Sequence, residues 1–458
     1  MSNGVRCWAG VILASIAVPP LTYAQARPSF PITMQQAARH AADHYPAVAA
    51  ARARLAARES GIELARLQYL PRVDSSLQIN RATRNNVAGL LIPGTILPGI
   101  SGPASAASSA TSFGASAVGL LVAWEAVDFG ARAASVKVAE AYAAREGALA
   151  DLVRIDTAAR AADAFLRLAA AEDTARAAGA AVARQEVFAR VVAALVASGL
   201  RPGADDSRAR AELAAARVQL AQAEQAVDVG RALLAQWLGV AAAEVRIVRP
   251  EATGDAPPFV AGVADPAAHP LARAQQAAVT SSRALQDVIG RSYAPRIALQ
   301  GSYSRRGSGA SAAGLADDAG LAFDMPNWAV GVTASFPVLD WFSTRERQRI
   351  EGHHERAESA TYERVVREIG AQEAAADADV AAARRIAAET PAQLEAARAL
   401  ETQARARYQA GLATIVEVAD AERLLLQAEV TDALARLGVW RAFVAAAAAR
   451  GDVAALLQ

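Results

Sequence analysis

The residues able to do chemistry in this chain are few and poorly placed for catalysis. Its five histidines include the adjacent His353 and His354, and His40 and His44, which share a helical face but lack a third ligand nearby. Neighbouring side chains point about 100° apart on a helix, and a stable metal centre needs more ligands than either pair supplies. No Gly-x-Ser-x-Gly turn presents a nucleophile, and Gly307-Ser308-Gly309 lacks the third glycine of a dinucleotide loop. No metal, cofactor or enzymatic activity is expected. The charged residues that stand out instead follow two glycines: Arg201 and Asp205 after Gly199, Glu417 and Asp420 after Gly411. Thr414 and Glu417 have the spacing of a capping box, and acids suit a helix's first turn, so Glu417 has a capping role available to it and Asp205 is an N-cap candidate.

Composition narrows what could position these groups. Lys plus Arg number 47 against 46 Asp plus Glu, a formal charge of +1 over 458 residues, so no basic field exists to hold nucleic acid. Hydrophobic residues make up 53% but aromatics only 5%. That is an Ala-, Leu- and Val-rich composition suited to long helices in close approach. Arg6, the apolar run from Val11 to Val18 and small residues up to Ala26 read as a secretory signal peptide over residues 1–26. The one cysteine, Cys7, precedes the apolar run, so neither an acyl anchor nor a disulfide is expected of the mature chain.

An internal repeat organises the remainder. Tyr45-Pro46 through Pro71-Arg72-Val73 recurs as His269-Pro270 through Pro295-Arg296-Ile297 at an offset of 224. Trp124 through Phe129 matches Phe336 through Trp341, Gly199-Leu200 matches Gly411-Leu412, and Gly239 matches Gly451, all at an offset of 212. A single insertion of 12 residues between Pro71 and Asp128, inside a Gly/Pro/Ser-rich run, accounts for both offsets. The two units are residues 27–250 and 251–458.

Each unit opens with a helical stretch, Ile32 to Tyr69 and Asp265 to Tyr293, ended by a proline. Alternating apolar and polar residues follow from Val73 to Asn80 and from Ile297 to Ser304. The alternation returns at Val118, Leu120, Val122 and Trp124, and at Val330, Val332, Ala334 and Phe336. This is strand periodicity, one hairpin per unit. Residues 131–197 and 343–409 then read as one long helix each, or two broken ones. At about 1.5 Å per residue each would extend on the order of 100 Å. Beyond Gly199, Leu213, Ala216, Leu220, Ala223, Val227, Gly230, Leu234 and Trp237 form a heptad seam. Its counterpart in the second unit is interrupted by Asp432 where an apolar residue is expected.

Strands of about 9 to 11 tilted residues that alternate apolar and polar faces cross a bilayer. Lipid forbids an open sheet edge, and four strands are too few for a barrel, so several chains must share one. Three copies would supply twelve strands around a water-filled lumen. The fold class expected is therefore mainly α with a small β part. Each chain would give four transmembrane strands and long coiled helices, and a homotrimer would close the barrel. The chain resembles the outer-membrane efflux protein family, the TolC-like exit ducts. The resemblance is carried by Pro71-Arg72 and Pro295-Arg296, by Trp124 through Gly130 and Phe336 through Trp341, and by the helix-reversing Gly199 and Gly411.

What the resemblance implies is a homotrimeric duct in the outer membrane with a periplasmic helical tunnel. Its tip would dock to a periplasmic adaptor and an inner-membrane transporter, either an ABC exporter or a proton-driven pump. Gly199, Leu200, Gly411 and Leu412 fall at the adaptor-docking tips; Glu417 and Asp420 fall where the family places an acidic entrance ring, which would favour cations. The family's latching arginine is replaced by Ala413; for Arg201 the two readings are a reciprocal contact with Glu417 and an exposed tip arginine with no partner. Trp124, Trp328 and Trp341 suit an aromatic girdle in contact with outer-membrane lipid. Protein or toxin secretion of the type I, cyclolysin-exporting kind is the expected role, with drug or metal efflux as the alternative. A periplasmic coiled-coil adaptor or structural rod is the alternative of another class.

Overall fold

The computed structural model describes residues 28, 30–83, 112–248, 265–311, 314–315, 320–323, 325–452 and 454. The expected signal peptide lies outside the described residues, as does most of the run expected to hold the 12-residue insertion. The first unit comprises helices α1 (Met34–His44) and α2 (Pro46–Leu67), strands β1 (Arg72–Thr83) and β2 (Ser112–Val127), and helices α3 (Ala131–Ala197) and α4 (Gly203–Leu238). The second comprises α5 (Pro270–Arg291), β3 (Arg296–Ser308), the two-residue strands β4 (Ala310–Ser311) and β5 (Gly314–Leu315), β6 (Met325–Ser335), α6 (Asp340–Gln409) and α7 (Ile415–Ala449).

The opening helical stretch of the first unit is not continuous. Tyr45 is held extended before Pro46, which starts α2 at its first position. Proline pushes its preceding residue out of the helical region and brings no N–H of its own. The second unit has only a 3₁₀ turn at Pro266–Ala268 where the first has α1, and its helix begins at Pro270. By contrast the two long stretches are single helices of 67 and 70 residues. Pro391 is accommodated inside α6 without ending it.

The four long strands form one antiparallel sheet in the order β1-β2-β3-β6. Its register fixes which side chains share a face. Val73, Leu77 and Ile79 of β1 stand level with Val122, Val118 and Ser116 of β2. Leu120 and Trp124 of β2 pair with Tyr303 and Leu299 of β3, which pair in turn with Trp328 and Val332 of β6. One face is therefore an apolar and aromatic surface. The other carries Asp74, Ser76 and Gln78 of β1 and Gln300, Ser302 and Ser304 of β3, the division a sheet needs to stand between lipid and water.

Strands pass into long helices at a tight junction. Phe129 and Gly130 both take positive φ, 48° and 88°. Asp128 accepts hydrogen bonds from Gly130 N at 3.1 Å and from Arg132 N at 2.6 Å, and pairs with the Arg132 guanidinium at 2.9 Å. Burial alone would raise the Asp128 pKa, but these bonds outweigh it and hold it below the ordinary value. A Cβ at Gly130 would lie 2.5 Å from Arg291 Nη1, which itself donates to Phe129 O at 2.8 Å. Glycine is thus favoured here by its left-handed conformation, whereas the Arg291 guanidinium, at the end of a flexible side chain, has room to yield to a Cβ.

The helices pack around α3, which touches α1, α2, α4, α5 and α7. Phe165, Leu166 and Leu168 of α3, Leu234 and Leu238 of α4, and Leu437 and Val444 of α7 form one fully enclosed cluster with Ala37 and Ala38 of α1. Gly230 belongs to the α4 seam, where an added Cβ would come within 3.2 Å of Leu168 Cα. Small seam residues are what let these helices approach so closely. Asp432 is buried against α6, where Thr390 Oγ1 donates to it at 2.8 Å and Arg436 forms an ion pair with it. The break in the α7 heptad is therefore a polar link to the turn of α6 that carries Pro391. Removing the donor by Thr390→Ala should cost about 1–3 kcal/mol, the usual cost of depriving a buried acceptor of its partner. A lowered thermal midpoint would register it; an unchanged midpoint would show that the link does not stabilise the pair.

Candidate functional site: the helical tips and the apolar sheet face

The two helix reversals are built alike. At the first, Gly199 has φ 73°, its N–H donates to Val196 O at 3.0 Å, and Leu200 N donates to Leu195 O at 3.0 Å. At the second, Gly411 has φ 76°, donating to Tyr408 O at 3.0 Å, while Leu412 N donates to Arg407 O at 2.8 Å. Both are Schellman endings, in which a left-handed glycine lets two amides return to the last carbonyls of the helix. Leu200 and Leu412 are each 71% exposed, so both reversals hold an apolar side chain out into solvent.

Within one chain the tips are tied by a contact that matches neither reading of Arg201. Arg201 does not reach Glu417. Its Nη2 donates to Tyr408 O at 2.6 Å and to Ala413 O at 3.4 Å, and its guanidinium lies 4.3 Å from the Tyr408 ring centroid. The last carbonyls of a helix carry partial negative charge, so a cation settles on them readily. Glu417 is occupied by its capping box, with Thr414 N donating to it at 3.1 Å and Arg407 4.0 Å away. The Thr414 backbone bond is the main reason the Glu417 pKa is lowered. Asp205 does not cap α4, whose N-cap is Pro202; it accepts the Tyr408 hydroxyl at 2.9 Å. Asp420 is exposed, pairs with Arg423 at 3.1 Å, and lines a cleft of about 240 Å³ among α3, α4 and α7 with Gln185, Arg208 and Glu212.

Tyr408 is the residue at the centre of this arrangement that the sequence reading missed. It is fully buried, meets the Phe188 ring edge-on at 5.3 Å, and joins α6 to α4 through Asp205 and to the first tip through Arg201. Its one signal was position, an aromatic residue three before the turn glycine in an otherwise polar stretch. Farther from the tip, Glu422 of α7 is buried between Arg184 of α3 at 3.2 Å and Arg405 of α6. Arg184 also meets Glu429 at 3.0 Å, and Arg405 meets Glu401 at 2.9 Å. Burial pushes the Glu422 pKa up, with Arg405 and Arg184 pulling the other way.

At the opposite end, Trp124 is 40% exposed and donates Nε1–H to Tyr69 O at 2.9 Å, near the end of β2 that meets the helices. Trp341, at the start of α6, packs edge-on against Phe342 at 5.2 Å and under Arg345 at 5.2 Å. Trp328 is 77% exposed near the other end of the strands. Trp124 and Trp328 thus stand near opposite ends of the apolar face, and Trp341 lies at the start of α6, beyond the end of β6. Among the described residues no helix is long and apolar enough to cross a membrane, and no group of three or more metal-binding side chains occurs. His40 and His44 stack at 4.7 Å, with His40 Nε2 3.2 Å from Leu238 O.

The Tyr408 hydroxyl has a pKa pushed up to about 12, first by burial and then by the bond to Asp205. Its folded value exceeds the unfolded one, so its stabilising share is full below about pH 10 and is lost as pH climbs from there to about 12. Tyr408→Phe should flatten the alkaline fall in stability over that interval relative to the wild type. Superimposable stability curves for the two proteins above pH 10 would contradict the assignment.

The sequence profile of the outer membrane efflux protein family matches residues 37–240 and 267–452, the two repeat units almost in full. Among curated proteins no sequence gives a significant match. The fold is similar to that of the outer-membrane channel OprN, at 23% identity, 92% of this chain, 90% of that one and a TM-score of 0.75. It is also similar to VceC of Vibrio cholerae, at 16% identity, 91% and 96% coverage and a TM-score of 0.75. The CmeC channel of Campylobacter jejuni matches at 14% identity, 92% and 85% coverage and a TM-score of 0.76. A rod or adaptor without strands is excluded by the four-stranded sheet and by this match. The chain belongs to the outer membrane efflux protein family, non-enzymatic outer-membrane channels whose long helices form a tunnel through the periplasm.

Proposed function

We propose that three copies of this chain form the exit duct of a tripartite export system, with their sheets joined into one twelve-stranded barrel. The observation that carries this reading is the sheet itself. It is apolar on one face and polar on the other, and β1 and β6 end it with edges that no described strand of the same chain pairs. An edge of that kind cannot stand in hydrocarbon, whereas pairing β1 of one copy with β6 of the next removes it. The helices beneath carry cargo past a tip whose exposed Leu200 and Leu412 dock the periplasmic adaptor, beside Gly199 and Gly411. The inner-membrane transporter, an ABC exporter or a proton-driven pump, supplies the energy. Glu417 and Asp420 contribute carboxylates to the entrance, Arg201 and Asp205 hold it through Tyr408, and Trp124, Trp328 and Trp341 anchor the barrel in lipid.

The cargo class we favour is exported protein of the type I kind, supported by Cys7 lying ahead of the apolar leader run rather than where an acylated efflux relative would carry it. Two experiments bear on these readings. In planar bilayers Arg201→Ala should raise conductance, because it frees Tyr408 O and Ala413 O and loosens one coiled pair from the other; conductance equal to wild type would remove Arg201 from gating. In a host deleted for its own ducts, the chain expressed with a type I ABC exporter and its adaptor should restore secretion of the cognate protein. Restored drug or metal tolerance without secretion would assign it to efflux instead.

A further inference from the structure

The outward, apolar face of the sheet ends in an arginine at the same place in both repeat units. On β1 the outward residues run Val73, Ser75, Leu77 and Ile79 and then Arg81; on β3 they run Ile297, Leu299, Gly301 and Tyr303 and then Arg305. Arg81 and Arg305 are separated by 224 residues, the offset of the repeat in this segment. Both strands ascend from the helical side, so both arginines lie toward the end of the sheet remote from the tunnel. Eight residues separate Val73 from Arg81 and Ile297 from Arg305. At about 3.3 Å per residue and a tilt of about 40°, that climbs roughly 20 Å along the membrane normal, most of an apolar band about 25 Å tall.

The sign of this charge is unmixed. The outward positions of β1, β2, β3 and β6 contain no Asp or Glu; the acids of the sheet, Asp74 and Glu125, are on the other face, where they meet Arg72 and Arg296. Arg81 and Arg305 are exposed, and neither pairs with a carboxylate among the described residues. Arg81 Nε donates to Ser112 Oγ at 2.9 Å, which orients its guanidinium on the sheet surface. Arg305 sits one outward step beyond Tyr303, whose cross-strand partner is Trp328, so an aromatic pair marks the edge of the apolar band just below it. A guanidinium at such a boundary has one chemically matched neighbour in the membrane, a phosphate, to which it donates parallel hydrogen bonds.

We propose that Arg81 and Arg305 form a phosphate-binding belt on the outside of the barrel that takes the phosphorylated headgroups of outer-leaflet lipid. The proposal rests on the outer-membrane barrel reading and adds to it a lipid site, two per chain and six per trimer. Lipid phosphate and free phosphate share the same chemistry, and the occupant favoured is the lipid, because the apolar stripe directly below each arginine receives acyl chains.

The test uses the full-length protein extracted in detergent as a heat-modifiable trimer, with diphosphoryl lipid A, fully dephosphorylated lipid A and inorganic phosphate as probes. Wild type should bind the diphosphoryl form at least about tenfold more tightly than the dephosphorylated form, one hydrogen-bonded charge pair being enough for that difference. The double variant Arg81→Gln/Arg305→Gln should lose that preference, the double Arg→Lys variant should recover part of it, and Arg72→Gln, on the polar face, should behave as wild type. If the double Gln variant fails to assemble, Arg305→Gln alone carries the comparison. Equal affinity for the two lipid A forms, or an undiminished preference in the Gln variants, overturns the proposal, as does displacement of the lipid by millimolar inorganic phosphate. A wild-type protein that yields no trimer counts against the duct reading instead.

Discussion

A β-strand in hydrocarbon must have its N–H and C=O groups paired, because no water is present to take their place. That requirement governs the whole molecule. One chain supplies four long strands, and their order leaves β1 and β6 at the margins with a row of backbone groups unsatisfied by any described strand. In a water-soluble protein such margins are blunted by charge, proline or a covering helix. Here the outward face is kept apolar to the margin instead, from Val73 and Leu77 on β1 to Val330 and Val332 on β6, all well exposed in the single chain. An exposed apolar face of this kind suits contact with lipid, as expected of a chain of the outer membrane efflux protein family.

The helical part is arranged to serve the same end. Each hairpin returns into a helix about 70 residues long, so the sheet and the long helices share one backbone across junctions of three residues, 128–130, and four, 336–339. The left-handed Phe129 and Gly130, the bonds to Asp128 and the approach of Arg291 fix the direction in which α3 leaves the first hairpin. From there the packing is that of small residues, Ala158, Ala161 and Ala162 on α3 and Gly230 on α4, which admits neighbouring backbones at short range. At the far end the same helices meet again through Tyr408, held by Phe188, Asp205 and Arg201. The enclosed cluster around Phe165 is separate from the tip cluster that contains Tyr408.

The sequence made the repeating and periodic features legible. Alternation from Val73 to Asn80 gave the strand and its outward face, and the spacing of Gly199 and Gly411 gave both reversals, because those signals depend on neighbours within a few residues. Contacts that depend on which helices lie side by side leave no such local signal. The helical stretch from Ile32 to Tyr69 is split at Pro46, and the second unit has a short turn in place of the first segment. Asp432 looked like a flaw in a heptad until Thr390, 42 residues earlier on the facing helix, supplied its partner. Neither an acid nor solvent alone holds Arg201: it meets the Tyr408 carbonyl and ring in the last turn of α6 and the Ala413 carbonyl in the turn that follows. Periodicity does not report contacts made across 207 residues of chain.

Whether copies of the chain close the open edges of one sheet distinguishes a shared barrel from a sheet that stands alone. Light scattering on the detergent-extracted particle, with the detergent mass subtracted, measures this directly, and cysteines placed on the facing edges of β1 and β6 identify the pairing. Three chains per particle, linked through those cysteines into a closed ladder that stops at the trimer, is the result expected. A particle of one chain, with the edge cysteines free to react, would contradict it.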